Sequence, residues 1–388
     1  MRICYLGAFR LPNFDAAASR VVNNAKAMRA VGHDVSFISW GGASSDYACG
    51  DGGKSRCFGF EYVVTHEIDV KGSIFKRLFS LITRGNKTIR ILGEQLDSYD
   101  VVIVYNPELF FSLKLLHFCK RNKKYLISDI TEWYSPAEFK GLGALWNELN
   151  MRYLQKIIPN KIVISTFLAH YYQRSHNILV PPLLDISDDR WCSINHFSRQ
   201  KGPYRLSFFY AGTPGRKDDL LDAVLTIQRI IEDGYNIEFV IAGLTNEQFC
   251  SDYPKLRLKN RLSSNIRFLG RVSQEEVMQL YQMADYMILL RRPSRKNEAG
   301  FATKFAESIM SLTPVVANYT SDYSKYLIDG KTGWVVKSLD PDGIREAIMK
   351  CIEVNHHMDL TECRKSFDYH SYSEKFSVFL KSLVPSYL

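Results

Sequence analysis

Short apolar runs, separated by stretches of helical period, constrain this chain more than any other feature. In the first half they are Ile3 to Gly7, Val35 to Trp40, Val101 to Tyr105, Tyr125 to Ser128, Lys161 to Ser165 and Asn177 to Val180. In the second half they are Leu206 to Tyr210, Ile237 to Ala242, Ile266 to Leu269, Tyr286 to Leu290 and Pro314 to Ala317. A strand with one wet face alternates apolar and polar residues. A run that stays apolar and is followed by a helix belongs in a parallel sheet covered on both faces. Ala16 to Ala30 shows the connecting element: Val21, Val22, Ala25 and Met28 have apolar helical spacing, and Gly32 ends it.

Two such series in 388 residues predict an α/β protein of two doubly wound, Rossmann-like domains. With 46% hydrophobic and 23% charged residues, each half can bury its own core. The expected division is 1–190 for the first domain, 191–370 for the second and 371–388 for a terminal helical segment. The polar, aperiodic stretch Asp185 to Pro203 is the expected linker, and Ser371 to Leu383 has amphipathic helical spacing.

Several function classes are disfavoured at once. The eight cysteines form no CxxC pair and no zinc-spaced cluster, which suggests free thiols in a reducing compartment. The turn Gly7-Ala8-Phe9-Arg10 after the first strand lacks GxGxxG, so the nicotinamide and flavin fingerprint is absent. His356-His357 lacks partners for a metal site. The first apolar run is too short for a signal peptide and no run approaches 18 apolar residues, so the expectation is a cytoplasmic protein without a spanning helix. The net charge of +9 favours anionic partners: nucleic acid, an anionic membrane or phosphorylated small molecules. The basic residues form no recognised nucleic-acid module, so no nucleic acid is expected.

The chemistry concentrates in Asn297 to Glu307, after the strand Tyr286 to Leu290. Gly300, Thr303 and Lys304 open a helix there, bringing backbone N–H groups, a positive helix end and a cation to one place. Glu307 lies one turn beyond Thr303 and Lys304, where a carboxylate can accept hydrogen bonds from a ribose diol. An ordinary helix start with solvated Lys and Glu has the same local pattern. A second candidate is Tyr210-Ala211-Gly212-Thr213-Pro214-Gly215-Arg216-Lys217-Asp218, a Gly/Pro turn with two cations. A third is Ser128-Asp129-Ile130-Thr131-Glu132 at a strand end, where Asp129 and Glu132 suit acceptor hydroxyls and Asp129 equally suits a helix cap.

The stretch Gly300-Phe301-Ala302-Thr303-Lys304-Phe305-Ala306-Glu307, with Pro314-Val315-Val316-Ala317, resembles the donor-binding signature of family 4 glycosyltransferases. Their pattern is Gly-Phe-Pro-Thr-Lys-Phe-x-Glu-Ser, so Ala302 stands for the proline. Ile266-Arg267-Phe268-Leu269-Gly270-Arg271-Val272 with Tyr281, Ala284 and Asp285, and the expected hairpin Asp329-Gly330-Lys331-Thr332-Gly333-Trp334-Val335-Val336, resemble further segments of the family. The resemblance implies the GT-B fold: two Rossmann-like domains facing a cleft, the last helix crossing back to the first. It implies a nucleotide-diphosphate sugar as donor, retention of anomeric configuration, no cofactor and no metal. By the same resemblance Thr303 and Lys304 hold the diphosphate, Glu307 contacts the ribose, and Gly270 and Arg271 lie where the base is held. Lys217 matches a cation of the glycine loop. The arginine slot beside Gly212 is Thr213, with Arg216 as substitute. The family's second glutamate slot is Ala299, leaving Glu298 for that role.

The expected catalytic residues are therefore Asp129, Lys217 and Glu298. The expected donor-binding residues are Gly212, Arg216, Lys217, Gly270, Arg271, Gly300, Phe301, Thr303, Lys304 and Glu307. Lys71 to Gly93 carries Lys71, Lys76, Arg77, Arg84, Lys87 and Arg90 without an acid, with apolar residues at helix-like spacing. Such a basic amphipathic helix fits an anionic membrane surface, and a core-facing helix with a solvated basic face fits as well. The expected activity is transfer of a sugar to a glycan or lipid-linked acceptor in surface polysaccharide biosynthesis. A lipid-linked acceptor would place the enzyme at the inner face of the cytoplasmic membrane. A GT-B sugar-nucleotide 2-epimerase and an inactive glycosyltransferase-like binding subunit are the alternatives.

Overall fold

The computed structural model describes residues 1–11, 15–40, 54–65, 74–139, 141–188, 206–213, 215, 217–253, 262–354 and 358–385, with side chains of 74–139 from Phe79 onward. Arg216, the His356-His357 pair and most of the expected linker lie outside the described residues. The chain divides into two compact units, Met1–Leu184 with Tyr369–Leu388, and Asp185–Asp368.

The first unit is built on β1 (Arg2–Gly7), β2 (Asp34–Ser39), β3 (Ser55–Cys57), β4 (Phe60–Val64), β5 (Val101–Tyr105), β6 (Tyr125–Ile130), β7 (Asn160–Val163) and β8 (His176–Leu179). Their order is β3-β4-β2-β1-β5-β6-β7-β8. Every pairing is parallel except β3 with β4. The continuous apolar runs follow from cover on both faces. Ile3, Tyr5, Val101 and Ile103 enter one core with Val21, Val22 and Ala25 of the helix Ala16–Ala30. Their neighbours Cys4, Leu6, Val102 and Val104 enter the opposite core with Phe111 and Leu115 of the helix Leu109–Arg121. The terminal helix Ser373–Lys381 adds Phe376, Phe379 and Leu380 to the first of these cores. There the His176 ring stacks on Phe379 at 4.7 Å.

The second unit is built on β9 (Leu206–Ala211), β10 (Ile237–Ala242), β11 (Ile266–Gly270), β12 (Tyr286–Leu289), β13 (Val315–Ala317) and β14 (Gly333–Val335). The sheet is parallel throughout, in the order β11-β10-β9-β12-β13-β14. The chain winds outward one way from β9 and the other way from β12. The connections leaving these two neighbours therefore part, and a crevice opens at their carboxyl ends. Leu206, Phe208 and Tyr210 of β9 pack on Leu220, Val224 and Ile227 of the helix Leu220–Glu232.

Two local expectations change. The basic stretch forms two helices, Ile74–Thr83 and Asn86–Glu94, rather than one. Gly85 separates them at φ 84°, and a Cβ there would lie 2.1 Å from the Phe111 ring. Only glycine lets the chain turn so close to that ring. The segment expected as a hairpin is a turn at Gly330 leading into β14, which pairs with β13 in parallel. Among the described residues no helix is long and apolar enough to cross a membrane.

Candidate functional site

The site grows from the ends of β9 and β12. Tyr210 is the penultimate residue of β9, Asp218 follows in the next loop, and Arg291 stands just beyond β12. The helix Thr303–Met310 brings Lys304 to the same place. The loops are tied by the Asp219 N–H, which donates to the Leu290 carbonyl at 2.8 Å.

Asp218 is the hub. Lys304 Nζ donates to its Oδ2 at 2.6 Å, Arg291 Nε to its Oδ1 at 2.7 Å, and the Tyr210 hydroxyl to Oδ2 at 2.7 Å. Lys304 Nζ also donates to the Tyr210 oxygen at 3.0 Å. Burial alone would raise the Asp218 carboxyl, yet the charges of Lys304 and Arg291 overcome it and hold the group to about 2. Burial lowers Lys304, and the Asp218 charge opposes that. Two cations share one carboxylate, so the cluster carries net positive charge in a little-hydrated place.

That charge lies at a helix end suited to anions. Ala302 occupies the N-cap of Thr303–Met310 and no side chain caps it. The first N–H groups of a helix have no partner within it, and the helix dipole adds positive potential there. Gly212, at φ 111°, passes beside Lys304: a Cβ on it would lie 3.1 Å from Nζ. The Gly243 turn packs on Gly212 so closely that a Cβ there would lie 2.6 Å from the Gly212 backbone. Backbone without side chains thus lines the approach to Lys304, which is what a phosphate needs.

The structure brings Gly212, Thr303 and Lys304 together. Glu307 is half-buried on the same helix, where the Tyr281 hydroxyl hydrogen-bonds it. Lys217 adjoins Asp218, and its carbonyl accepts from Asn297 Nδ2 at 3.1 Å. Glu298 accepts the Ser321 N–H at 3.2 Å, which fixes its carboxylate on the turn after β13. Thr213, in the arginine slot, is directed to the Gly243 carbonyl at 3.4 Å. Gly270 ends β11 at φ 70°, and Arg271 is exposed. Phe301 is turned inward from Gly300, against Phe305, Tyr323, Tyr326 and Phe367.

Asp129 lies in the first unit at the end of β6 and has no exposed surface. Arg20 pairs with it at 2.7 Å, and the Tyr5 hydroxyl donates to its other oxygen. Arg20 also donates to the Val180 and Pro181 carbonyls at 3.0 and 3.3 Å. Both oxygens of Asp129, expected to meet an acceptor, are held in a buried ion pair. Among the described residues no group of three or more His, Cys, Asp or Glu side chains is placed to hold a metal ion.

Sequence reasoning did not single out Asp218 or Arg291. Their signal was position: Arg291 stands just past β12 and Asp218 in the loop after β9, the two strands flanking the reversal of strand order.

Residues 196–370 match the family of glycosyl transferases group 1. No curated protein matches the chain in sequence. In structure the chain is similar to sucrose-phosphate synthase from Thermosynechococcus elongatus, with TM-score 0.69, 13% identity and 98% of each chain covered. It is similar to α,α-trehalose 6-phosphate synthase from Burkholderia multivorans, with TM-score 0.68, 12% identity and 98% of each chain covered. Anabaena Alr3699/HepE, solved in complex with UDP and glucose, gives TM-score 0.66 at 14% identity over 98% of this chain and 99% of that one. The fold is GT-B, and within the chain residues 196–370 carry the match to glycosyl transferases group 1.

Proposed function

We propose that this is a retaining, family 4-type glycosyltransferase that moves a sugar from a nucleotide-diphosphate sugar to a glycan or lipid-linked acceptor in surface polysaccharide biosynthesis. The observation that carries the reading is the buried Lys304–Asp218–Arg291 cluster, with its excess positive charge, at an uncapped helix end. A diphosphate is the substrate group whose charge that arrangement matches. HepE, similar in fold, was solved with UDP and glucose, which supports a donor of this class.

In the transfer, the bond between the anomeric carbon and the diphosphate oxygen breaks. The acceptor hydroxyl oxygen forms the new bond to that carbon and gives up its proton to the departing diphosphate. Charge develops on the departing diphosphate, and fixed donors aimed at it lower the barrier. The Thr303 and Lys304 N–H groups, the Lys304 ammonium and the glycine-loop cations Lys217 and Arg216 have that task. Glu307 accepts from the ribose hydroxyls. Glu298 takes the sugar side, its carboxylate already fixed by Ser321. The donor needs no metal in this reading.

The test is nucleoside diphosphate release from a panel of UDP-, GDP-, ADP- and dTDP-sugars, with and without a membrane lipid extract as acceptor. Release with one donor, stimulated by the extract, is expected. Saturable donor binding without release from any of them would overturn the transfer reading.

A further inference from the structure

One helical segment of the first unit buries polar residues beside apolar ones and leaves a row of apolar residues exposed. It runs through Gly143–Leu149, a π turn at Asn150–Leu154 and Gln155–Ile157. The polar residues Asn150 and Gln155 are buried. Asn150 Nδ2 donates to the Pro107 carbonyl at 2.7 Å, and Gln155 Nε2 to Ser112 Oγ at 3.1 Å. Beside the exposed Arg152 and Lys156, five large apolar residues are exposed: Leu142 at 59%, Leu145 at 52%, Leu149 at 38%, Tyr153 at 65% and Ile157 at 65%. They recur at three- and four-residue intervals, so they form one stripe. A π turn takes more residues per turn than an α turn, which keeps the later four-residue steps on that face.

The stripe does not end at this helix. Trp146 meets Phe110 of the helix Leu109–Arg121 at 5.4 Å between ring centroids, and Leu113 on that helix is exposed. Lys114 of the same helix donates to the Ile82 carbonyl at 2.6 Å, at the end of Ile74–Thr83, where Phe79 and Ile82 are exposed. Singly exposed apolar residues are ordinary, but several on each of two helices with Leu113 on the helix between them mark an interaction surface.

The charges around it decide the partner. Residues 109–128 carry Lys114, Lys120, Arg121, Lys123 and Lys124 and no acid. On Asn86–Glu94, Lys87 is exposed and Arg90 pairs with Glu94 at 3.7 Å, and Arg84 before it pairs with Glu108 at 2.5 Å. On the striped helix Arg152 and Lys156 are exposed, and the acid there, Glu148, is paired with Arg152. An apolar ridge bordered by cations matches an anionic bilayer, whose headgroups meet the Lys and Arg while Leu, Ile and Tyr enter the acyl boundary. We infer that the stripe Leu142, Leu145, Leu149, Tyr153 and Ile157, with Phe79, Ile82 and Leu113, is the face by which this protein lies on an anionic membrane.

The test is co-sedimentation of the full chain with phosphatidylcholine vesicles, with and without phosphatidylglycerol, at low and high salt. Binding is expected with phosphatidylglycerol and should weaken with salt. The triple variant Leu145→Ser, Tyr153→Ser, Ile157→Ser alters exposed positions only. It should bind about a hundredfold more weakly while retaining the far-UV spectrum and melting temperature of the parent. No vesicle binding by the parent, or equal binding by the variant, would overturn the inference. So would a parent dimer in size exclusion that the triple variant converts to monomer, since the stripe would then meet a second copy. Sugar-nucleotide binding, measured by calorimetry without lipid, is independent of this surface, so a failed donor reading is seen separately.

Discussion

Lys304 does not wait in solvent for its ligand: its ammonium is 2.6 Å from the Asp218 carboxylate, which Arg291 approaches from the other oxygen at 2.7 Å. The carboxylate keeps the lysine charged and aimed while leaving the cluster one positive charge in excess. Replacing Asp218 with Asn leaves two buried cations facing each other. Removing one partner of a buried pair typically costs about 3–5 kcal/mol. Urea unfolding of Asp218→Asn should show a loss of that order. The triple variant Asp218→Leu, Arg291→Met, Lys304→Met should recover much of it, because it buries no unpaired charge.

The same cluster sets an acid limit. Burial raises the Asp218 carboxyl, but Lys304 and Arg291 bring it to about 2 from an ordinary 3.8. A carboxylate depressed in the folded state gives its full stabilisation above the unfolded value and loses it as pH falls through the folded one. The loss therefore spans roughly pH 4 to 2 and amounts to about 2 kcal/mol. Unfolding midpoints at pH 5, 3 and 2.5 measure it. In Asp218→Asn this share of the slope should vanish, while other carboxylates keep theirs.

The strands were readable because burial on both faces forces continuous apolar runs, as at Val101 to Tyr105 and Tyr286 to Leu289. Short β3 and β4 were not, since Ser55-Arg56-Cys57 carries no such run. The break at Gly85 depended on Phe111, a residue distant in sequence. In the site, Thr303, Lys304 and Glu307 were legible because helix spacing alone puts them on one face. Asp218 and Arg291 were hidden because their partnership crosses 73 residues and exists only once β9 lies beside β12. Asp129 had the right position at a strand end, yet its buried pairing with Arg20 depends on a helix more than a hundred residues earlier.

Arg20 and Asp129 make a second buried pair, and its effect should be on the fold. Asp129→Ala leaves the Arg20 guanidinium buried with only the Val180 and Pro181 carbonyls as partners. A stability loss of about 3–5 kcal/mol is expected in chemical denaturation. Arg20→Ala should lose a similar amount. If Asp129→Ala instead kept its stability and lost only turnover, the carboxylate would have to reach the acceptor, as first expected of it.

Glu307 separates donor recognition from folding. Its helix is anchored by Phe305 and Ile309, which are wholly buried, so truncating a half-buried glutamate leaves the packing intact. A carboxylate that accepts from both ribose hydroxyls makes charge-assisted bonds of about 1.5–3 kcal/mol. Glu307→Ala should therefore weaken UDP-glucose binding, or binding of the donor that the release assay selects, by roughly tenfold to a hundredfold. Its melting temperature should stay near that of the parent. Tyr281→Phe removes the hydroxyl that bonds Glu307 and should produce a smaller, few-fold loss by leaving the carboxylate less fixed. Titration calorimetry on both variants reads the two effects, and unchanged affinity in Glu307→Ala would remove the ribose role from this residue.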